Sequence, residues 1–225
     1  MTESTASAIL LTLRVASVAT LIVFVPGMLL AYYFARRNSP FSRILSTLTL
    51  LPMVLPPTAV GYLLLRLFAA DGPFGPQILG FHLNLLLTWK AAVIASGVMA
   101  MPLFVRTAQV AFQGVDHRLE LMKRTLGFGP VETFLRTTLP LASRGLLAAT
   151  ILGFIRAVSE FGATITVAGN IPFKTQTMAS AIFSAQQAGN EEEANILIVL
   201  ALALGFFSIF ATELLARRSP AVGHP

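Results

Sequence analysis

Five long apolar runs separated by polar segments dominate the chain, at residues 8–35, 44–68, 89–110, 145–167 and 195–215. A membrane-crossing helix needs about 20 mainly apolar residues, and each run meets that length. The first and last runs read as plain spans. The second carries Pro52, Pro56 and Pro57. That predicts a kinked or broken helix, since proline at membrane depth persists only where protein or a water-filled cavity accommodates the freed backbone groups. The pattern predicts an all-α integral membrane protein of about five transmembrane helices, organised as one domain over residues 1–225.

The polar joins differ in character. Residues 71–85 are rich in Gly and Pro and read as a turn-rich loop. Residues 169–194 are longer, and their middle, about 177–187, predicts a short helix lying at or dipping into the membrane. Glu191, Glu192 and Glu193 then mark a wet end before the last span. The join at about 113–144 leaves the apolar pattern without losing helical periodicity. Asp116 is a candidate N-cap, and Val115, Leu119, Met122 and Leu126 recur every three or four residues as an apolar stripe. Gly127 and Gly129-Pro130 predict a break. A second short helix over 131–138 follows, with Val131, Phe134 and Leu135 on one side. Leu139-Pro140 is expected to turn the chain back toward the membrane. Two short amphipathic helices at an angle predict a compact knob.

Composition agrees with a bilayer environment: 55% of residues are hydrophobic and only 12% charged, against about 25% charged in ordinary soluble domains. The formal net charge of +6 does not gather into one patch of the kind nucleic acid requires. Eleven Lys and Arg residues fall on one side of the predicted spans: Arg36, Arg37, Arg43, Arg106, Arg118, Lys123, Arg124, Arg136, Arg144, Arg217 and Arg218. Only Lys174 lies clearly on the other, with Arg14, Arg66, Lys90 and Arg156 in or at the spans. The positive-inside rule then places the N-terminus outside and the C-terminus in the cytoplasm. Met1 to Ser4 carry no basic residue, and the run after them is too long for a signal-peptide core, so the first run is expected to be a retained span.

The absence of cysteine excludes disulfides, thiolate metal sites and a thiol nucleophile. No Gly-x-x-x-x-Gly-Lys-Ser/Thr loop, His-Glu-x-x-His or Gly-x-Ser-x-Gly occurs. The chain is expected to have no catalytic residues, no bound metal and no cofactor. His82 and His117 stand alone in sequence and read as loop packing, while Arg14 and Arg66 are placed to snorkel. Arg156 and Glu160, four residues apart in the fourth run, are expected on one helix face. Each costs about 2.5–3.5 kcal/mol at membrane depth, which favours a structural pair, or one bridging a dimer axis, over direct substrate contact. Thr164 and Thr166 are expected to bond their own backbone carbonyls.

The order Glu120, Gly127, Leu139-Pro140 resembles the coupling loop of ABC importer permeases. Met122 and Lys123 stand where small residues are usual in that loop, and Thr137 where an aliphatic one is usual. An amphipathic hairpin held on the inner leaflet is the alternative, but it requires neither Gly127 nor the spaced Leu139-Pro140. The run Pro56-Pro57-Thr58-Ala59-Val60-Gly61-Tyr62 is similar to the second span of molybdate permeases. Ser159-Glu160-Phe161-Gly162-Ala163-Thr164 and Gly169-Asn170-Ile171-Pro172 are similar to the same family's fourth span and its outer exit. The Glu-Phe-Gly-Ala block is shared with sulfate and tungstate permeases. The likeness covers about residues 10–217.

The resemblance implies a type I ABC importer permease fold in a bacterial cytoplasmic membrane, acting as a homodimer on molybdate and possibly tungstate. It also implies two copies of a separate ATPase and a periplasmic or lipid-anchored binding protein. Glu120, Met122, Leu126, Gly127, Leu139 and Pro140 would couple to the ATPase. Pro56, Pro57, Thr58, Arg156, Glu160 and Thr164 would line or gate the path. The alternatives are a sulfate or thiosulfate permease and, in another class, a proton-coupled anion carrier with Glu160 as its relay.

Overall fold

The computed structural model describes residues 3–81 and 84–217, so His82 and Arg218 lie outside the described residues. In chain order the helices are α1 (Glu3–Arg36), α2 (Pro40–Val54), α3 (Pro57–Phe68), α4 (Pro76–Leu79) and α5 (Trp89–Gln113). They continue with α6 (His117–Thr125), α7 (Pro130–Thr133), a π turn (Phe134–Thr138), α8 (Leu139–Val158), α9 (Gly162–Ala168), α10 (Met178–Gln187) and α11 (Glu191–Arg217). No strand occurs among the described residues. Among the described residues, the helices at Glu3–Arg36, Trp89–Gln113, Pro130–Val158 and Glu191–Phe210 are long and apolar enough to cross a membrane, and the bent pair α2–α3 makes a fifth when counted as one span.

The core is built on small residues. Ala8, Ala16, Ala19 and Ala31 of α1 and Ala91, Ala92, Ala95, Ala100 and Ala108 of α5 are buried. In lipid, apolar surface gains nothing by leaving hydrocarbon, so helices associate through close backbone approach and packing, which small side chains permit. α5 is central, flanked by α1, α8 and α9, while α11 packs on α8 and α10. The 34 residues of α1 reach about 50 Å at 1.5 Å per residue, well beyond a hydrocarbon core of about 30 Å. The helix is therefore longer than the hydrocarbon core it would span.

Two spans are interrupted. α2 and α3 meet at 113°. The cause is local: a residue preceding proline is driven out of the helical region, and both Leu55 (φ −73, ψ 145) and Pro56 (φ −54, ψ 133) precede one. The 145–167 run, expected as a single span, breaks between Val158 and Gly162, so Glu160 lies in a join and not on a continuous helix face.

A second correction concerns Leu139-Pro140. The chain does not turn there; it stays helical from Pro130 to Val158, and the short second helix expected over 131–138 is the beginning of this rod. Pro140 has no N–H and its ring crowds the carbonyl of Arg136. The helix widens into a π turn just before it, with Leu139 N–H donating to the Phe134 carbonyl. The turn-rich 71–85 loop contains the short α4, and the helix expected near 177–187 is α10. Met178 N–H at the start of α10 donates to Thr12 Oγ1 at 2.7 Å, which ties it to α1 several turns below that helix's start.

Candidate functional site

The knob between α5 and α8 is organised by one carboxylate. Asp116 caps α6 by accepting from Arg118 N–H at 2.8 Å, and the following turn carries Glu120 inward, where it is only 1% exposed. Glu120 Oε1 accepts from Arg36 Nη2 at 2.8 Å, Arg36 Nε at 3.1 Å and Thr138 Oγ1 at 2.8 Å. Glu120 Oε2 lies 2.9 Å from His117 Nδ1. Arg36 Nη2 also donates to the Val115 carbonyl at 3.1 Å. One side chain therefore joins the end of α1, the first turn of α6 and the π turn. Burial pushes the Glu120 carboxyl up, but hydrogen bonds from Arg36, Thr138 and His117, with the Arg36 charge, hold it below its ordinary value.

Aromatic packing completes the attachment: Phe134 contacts Tyr32 and Phe112 with ring centroids 4.8 and 6.0 Å apart. Leu139 packs against the same cluster, half-buried, while Pro140 is exposed. Gly127 ends α6 at φ +87, a left-handed conformation that favours glycine. Gly127 N–H donates to the Arg124 carbonyl at 3.0 Å and Phe128 N–H to the Lys123 carbonyl at 3.3 Å, a Schellman closure. Lys123 Nζ sits 4.1 Å over the Phe128 ring.

The knob's outer surface exposes apolar side chains among charged ones such as Arg118 and Arg124. Met122 is 62% exposed, Leu126 74% and Val131 70%, with Leu119 and Leu121 also exposed. Of the expected stripe, only Val115 packs inward. Glu120 is thus buried at the root of the knob, while Met122 and Leu126 lie on its exposed face. His117 does more than loop packing, since it is bound to Glu120. Thr137, at a position read as unusual, has a buried hydroxyl with no hydrogen-bond partner.

The far end of the rod carries the second cluster. Arg156 Nη1 lies 2.8 Å from Glu160 Oε2, and Glu160 Oε1 accepts from Ala163 N–H at 2.8 Å. Glu160 pairs a charge in the last turn of α8 and satisfies a backbone donor that the first turn of α9 leaves open. Thr164 Oγ1 donates to the Phe161 carbonyl at 2.8 Å and Thr166 Oγ1 to the Gly162 carbonyl at 2.8 Å, so both hydroxyls are spent locally. The second halves of the two broken spans pack together. A Cβ on Gly61 would stand 2.9 Å from Ala163 Cα, and one on Gly162 would stand 3.0 Å from Pro57 Cβ. Pro56, Pro57 and Thr58 are exposed beside this crossing.

The structure brings Arg156, Glu160 and Thr164 to one break and sets Pro57 and Thr58 against Gly162 in the next helix. Sequence reasoning missed Arg36, whose partner is 84 residues away. It also missed Gly61 and Gly162 as contact positions, although glycine beside the Pro-Pro and Glu-Phe segments was a visible signal.

Residues 27–220 match the family described as binding-protein-dependent transport system inner membrane component. The chain is 39% identical over 221 residues to the molybdenum transport system permease protein ModB of Escherichia coli K12, covering 97% of this chain and 96% of that protein. It is 38% identical over 214 residues to ModB of Haemophilus influenzae, covering 94% and 93%. The sulfate transport system permease protein CysT of Salmonella typhimurium is 32% identical over 215 residues, covering 95% of this chain and 78% of that protein. Among solved structures, the inward-facing MetNI methionine ABC transporter aligns with TM-score 0.72 at 21% identity, covering 96% and 98% of the two chains. A bacterial ABC transporter for import of the acidic polysaccharide alginate aligns with TM-score 0.77 at 16% identity, covering 98% and 82%. With this fold and a family match over most of its length, the chain belongs to the inner-membrane component family of binding-protein-dependent transport systems.

Proposed function

We propose that this chain is the membrane-spanning permease subunit of an ABC importer for molybdate and, as a second tetrahedral oxyanion, tungstate. It acts as a homodimer with two copies of a separate ATPase and a periplasmic or lipid-anchored binding protein. Its N-terminus lies outside and its C-terminus in the cytoplasm. The observation that carries the substrate is the likeness to molybdenum permeases over nearly the whole chain, at 39% and 38% identity. The sulfate reading is second, resting on 32% identity.

The geometry supports a coupling mechanism. The exposed Met122, Leu126 and Val131 surface docks on the ATPase, and Glu120 holds that surface to α1. A helical rod of 29 residues, Pro130–Val158, runs from the knob to the Arg156–Glu160 break. When ATP binding draws the ATPase copies together, the knob moves and the rod carries the displacement into the membrane. That movement shifts the population between two packings of the broken spans. Pro56, Pro57 and Thr58 face the path at this crossing. A proton-coupled carrier is disfavoured because both oxygens of Glu160 are engaged, by Arg156 and by Ala163 N–H.

The test is ATPase stimulation in a reconstituted complex by binding protein loaded with molybdate, tungstate or sulfate. Stimulation by molybdate and tungstate above sulfate is expected. Stimulation by sulfate alone would move the chain to the sulfate reading, and none in an intact complex would refute an importer.

A further inference from the structure

A polar cavity of about 570 Å³ opens where α1 ends and α2 begins, bordering the knob cluster through Arg36 and remote from the Arg156–Glu160 break. Its lining includes Arg36, Arg37, Asn38, Arg43, Ser46 and Gln109, and no carboxylate lines it. Arg36 is neutralised by Glu120. No carboxylate within salt-bridge distance of Arg37 or Arg43 is found among the described residues, so the cavity keeps a positive excess. Two of its three side-chain amide acceptors are already used: Asn38 Oδ1 accepts from Arg43 Nε at 3.1 Å, and Gln109 Oε1 accepts from Arg106 Nη1 at 3.1 Å, while Gln113 is the third lining amide. Asn38 and Gln109 retain their NH₂ donors. Gln109 is 9% exposed, so that donor group sits within the packed structure and not on a mobile surface arm. The 15-residue α2 also starts here, and its first turn includes Ser42, another lining residue. A cavity with excess cation, donors and few open acceptors is matched to an anion.

We propose that this cavity is a binding site for a tetrahedral oxyanion of the phosphate type. Two sources share that chemistry: the phosphodiester headgroup of an anionic phospholipid, and a free oxyanion such as phosphate or molybdate. The cavity lies at the C-terminal end of the apolar helix α1, beside the cluster of Arg36, Arg37 and Arg43. The neighbouring α2 surface exposes Phe41 (65%), Ile44 (61%) and Leu48 (56%), at spacings of three and four, beside which acyl chains can lie. The site serves attachment or regulation, not the path through the broken spans.

The experiment uses the assembled permease–ATPase complex, purified and delipidated. One arm measures phosphatidylglycerol retention against phosphatidylcholine by native mass spectrometry. The other measures equilibrium binding of inorganic phosphate and of molybdate without binding protein. Each arm compares wild type, Arg37→Gln with Arg43→Gln, Ser46→Leu as a cavity-filling variant that keeps the charges, and Arg118→Gln as an off-site charge control. Loss of phosphatidylglycerol retention by roughly tenfold in the first two variants but not the control supports a lipid-filled site. The same pattern for phosphate or molybdate supports a site for the free ion. Equal binding in wild type and both site variants, or an equal loss in Arg118→Gln, overturns the proposal. Elution position and thermal midpoint establish that each variant is assembled.

Discussion

At the scale of single residues, the knob depends on Glu120 having three kinds of donor around it. Replacing it by Gln removes the charge that Arg36 requires and leaves a guanidinium only 13% exposed without its counter-ion. The expected cost is about 1–3 kcal/mol, read as a lower thermal midpoint of the purified complex. Glu120→Lys adds like-charge repulsion and should abolish coupled transport; normal uptake in that variant would refute the positioning role. The pH dependence has a definite sign. Because the folded carboxyl titrates below its ordinary value, its stabilisation is complete at neutral pH and is lost as pH falls through the folded value. A stability loss on acidification that persists unchanged in Glu120→Gln would assign the effect elsewhere. In the membrane, Arg156→Ala strands a buried carboxylate, at roughly 3–5 kcal/mol. Combining it with Glu160→Gln should recover part of that loss, since the amide oxygen still accepts from Ala163 N–H. Strictly additive losses in activity and thermal midpoint would contradict the pairing.

At the scale of elements, the two interrupted spans follow from different causes, which explains why only one was legible. Pro56-Pro57 announces a break in its own letters, because each proline constrains the residue before it. The second break has no such mark. Residues 145–167 are apolar enough to read as one helix, and a sum of hydropathies is blind to a side chain that ends one helix and caps the next. Glu160 pairs as expected but across a join. Leu139-Pro140 misled in the opposite direction: proline inside a helix loses one backbone hydrogen bond and crowds the turn before it, and the π turn at Phe134–Thr138 accommodates it without breaking the rod. The crossing of α3 and α9 requires both glycines. Gly61→Val is expected to separate these helices and lower transport at unchanged ATPase docking, because its Cβ would meet Ala163 backbone at 2.9 Å. Wild-type uptake with this variant would show that the crossing does not matter.

At the scale of the molecule, a charged pair stands near each end of one helical rod: Arg36–Glu120 at the knob and Arg156–Glu160 at the break, joined by Pro130–Val158, which is the frame the proposed coupling uses. The helix count and the knob's existence were legible because hydrophobic length and amphipathic spacing are local properties. The fastening of α1 to the knob was not, because it joins residues distant in sequence. Orientation belongs at this scale too. A reporter fused after Arg217 should read as cytoplasmic, and an external signal would reverse the placement of the knob. The most direct test of the whole account is ATP-driven molybdate uptake into proteoliposomes holding the permease and its ATPase, with binding protein outside and ATP inside. Wild type should accumulate molybdate, and Leu126→Asp, a charge placed on the exposed docking surface, should fail to do so in a complex that still assembles. Undiminished uptake by Leu126→Asp, or no ATP-dependent uptake by the intact wild type, would contradict it.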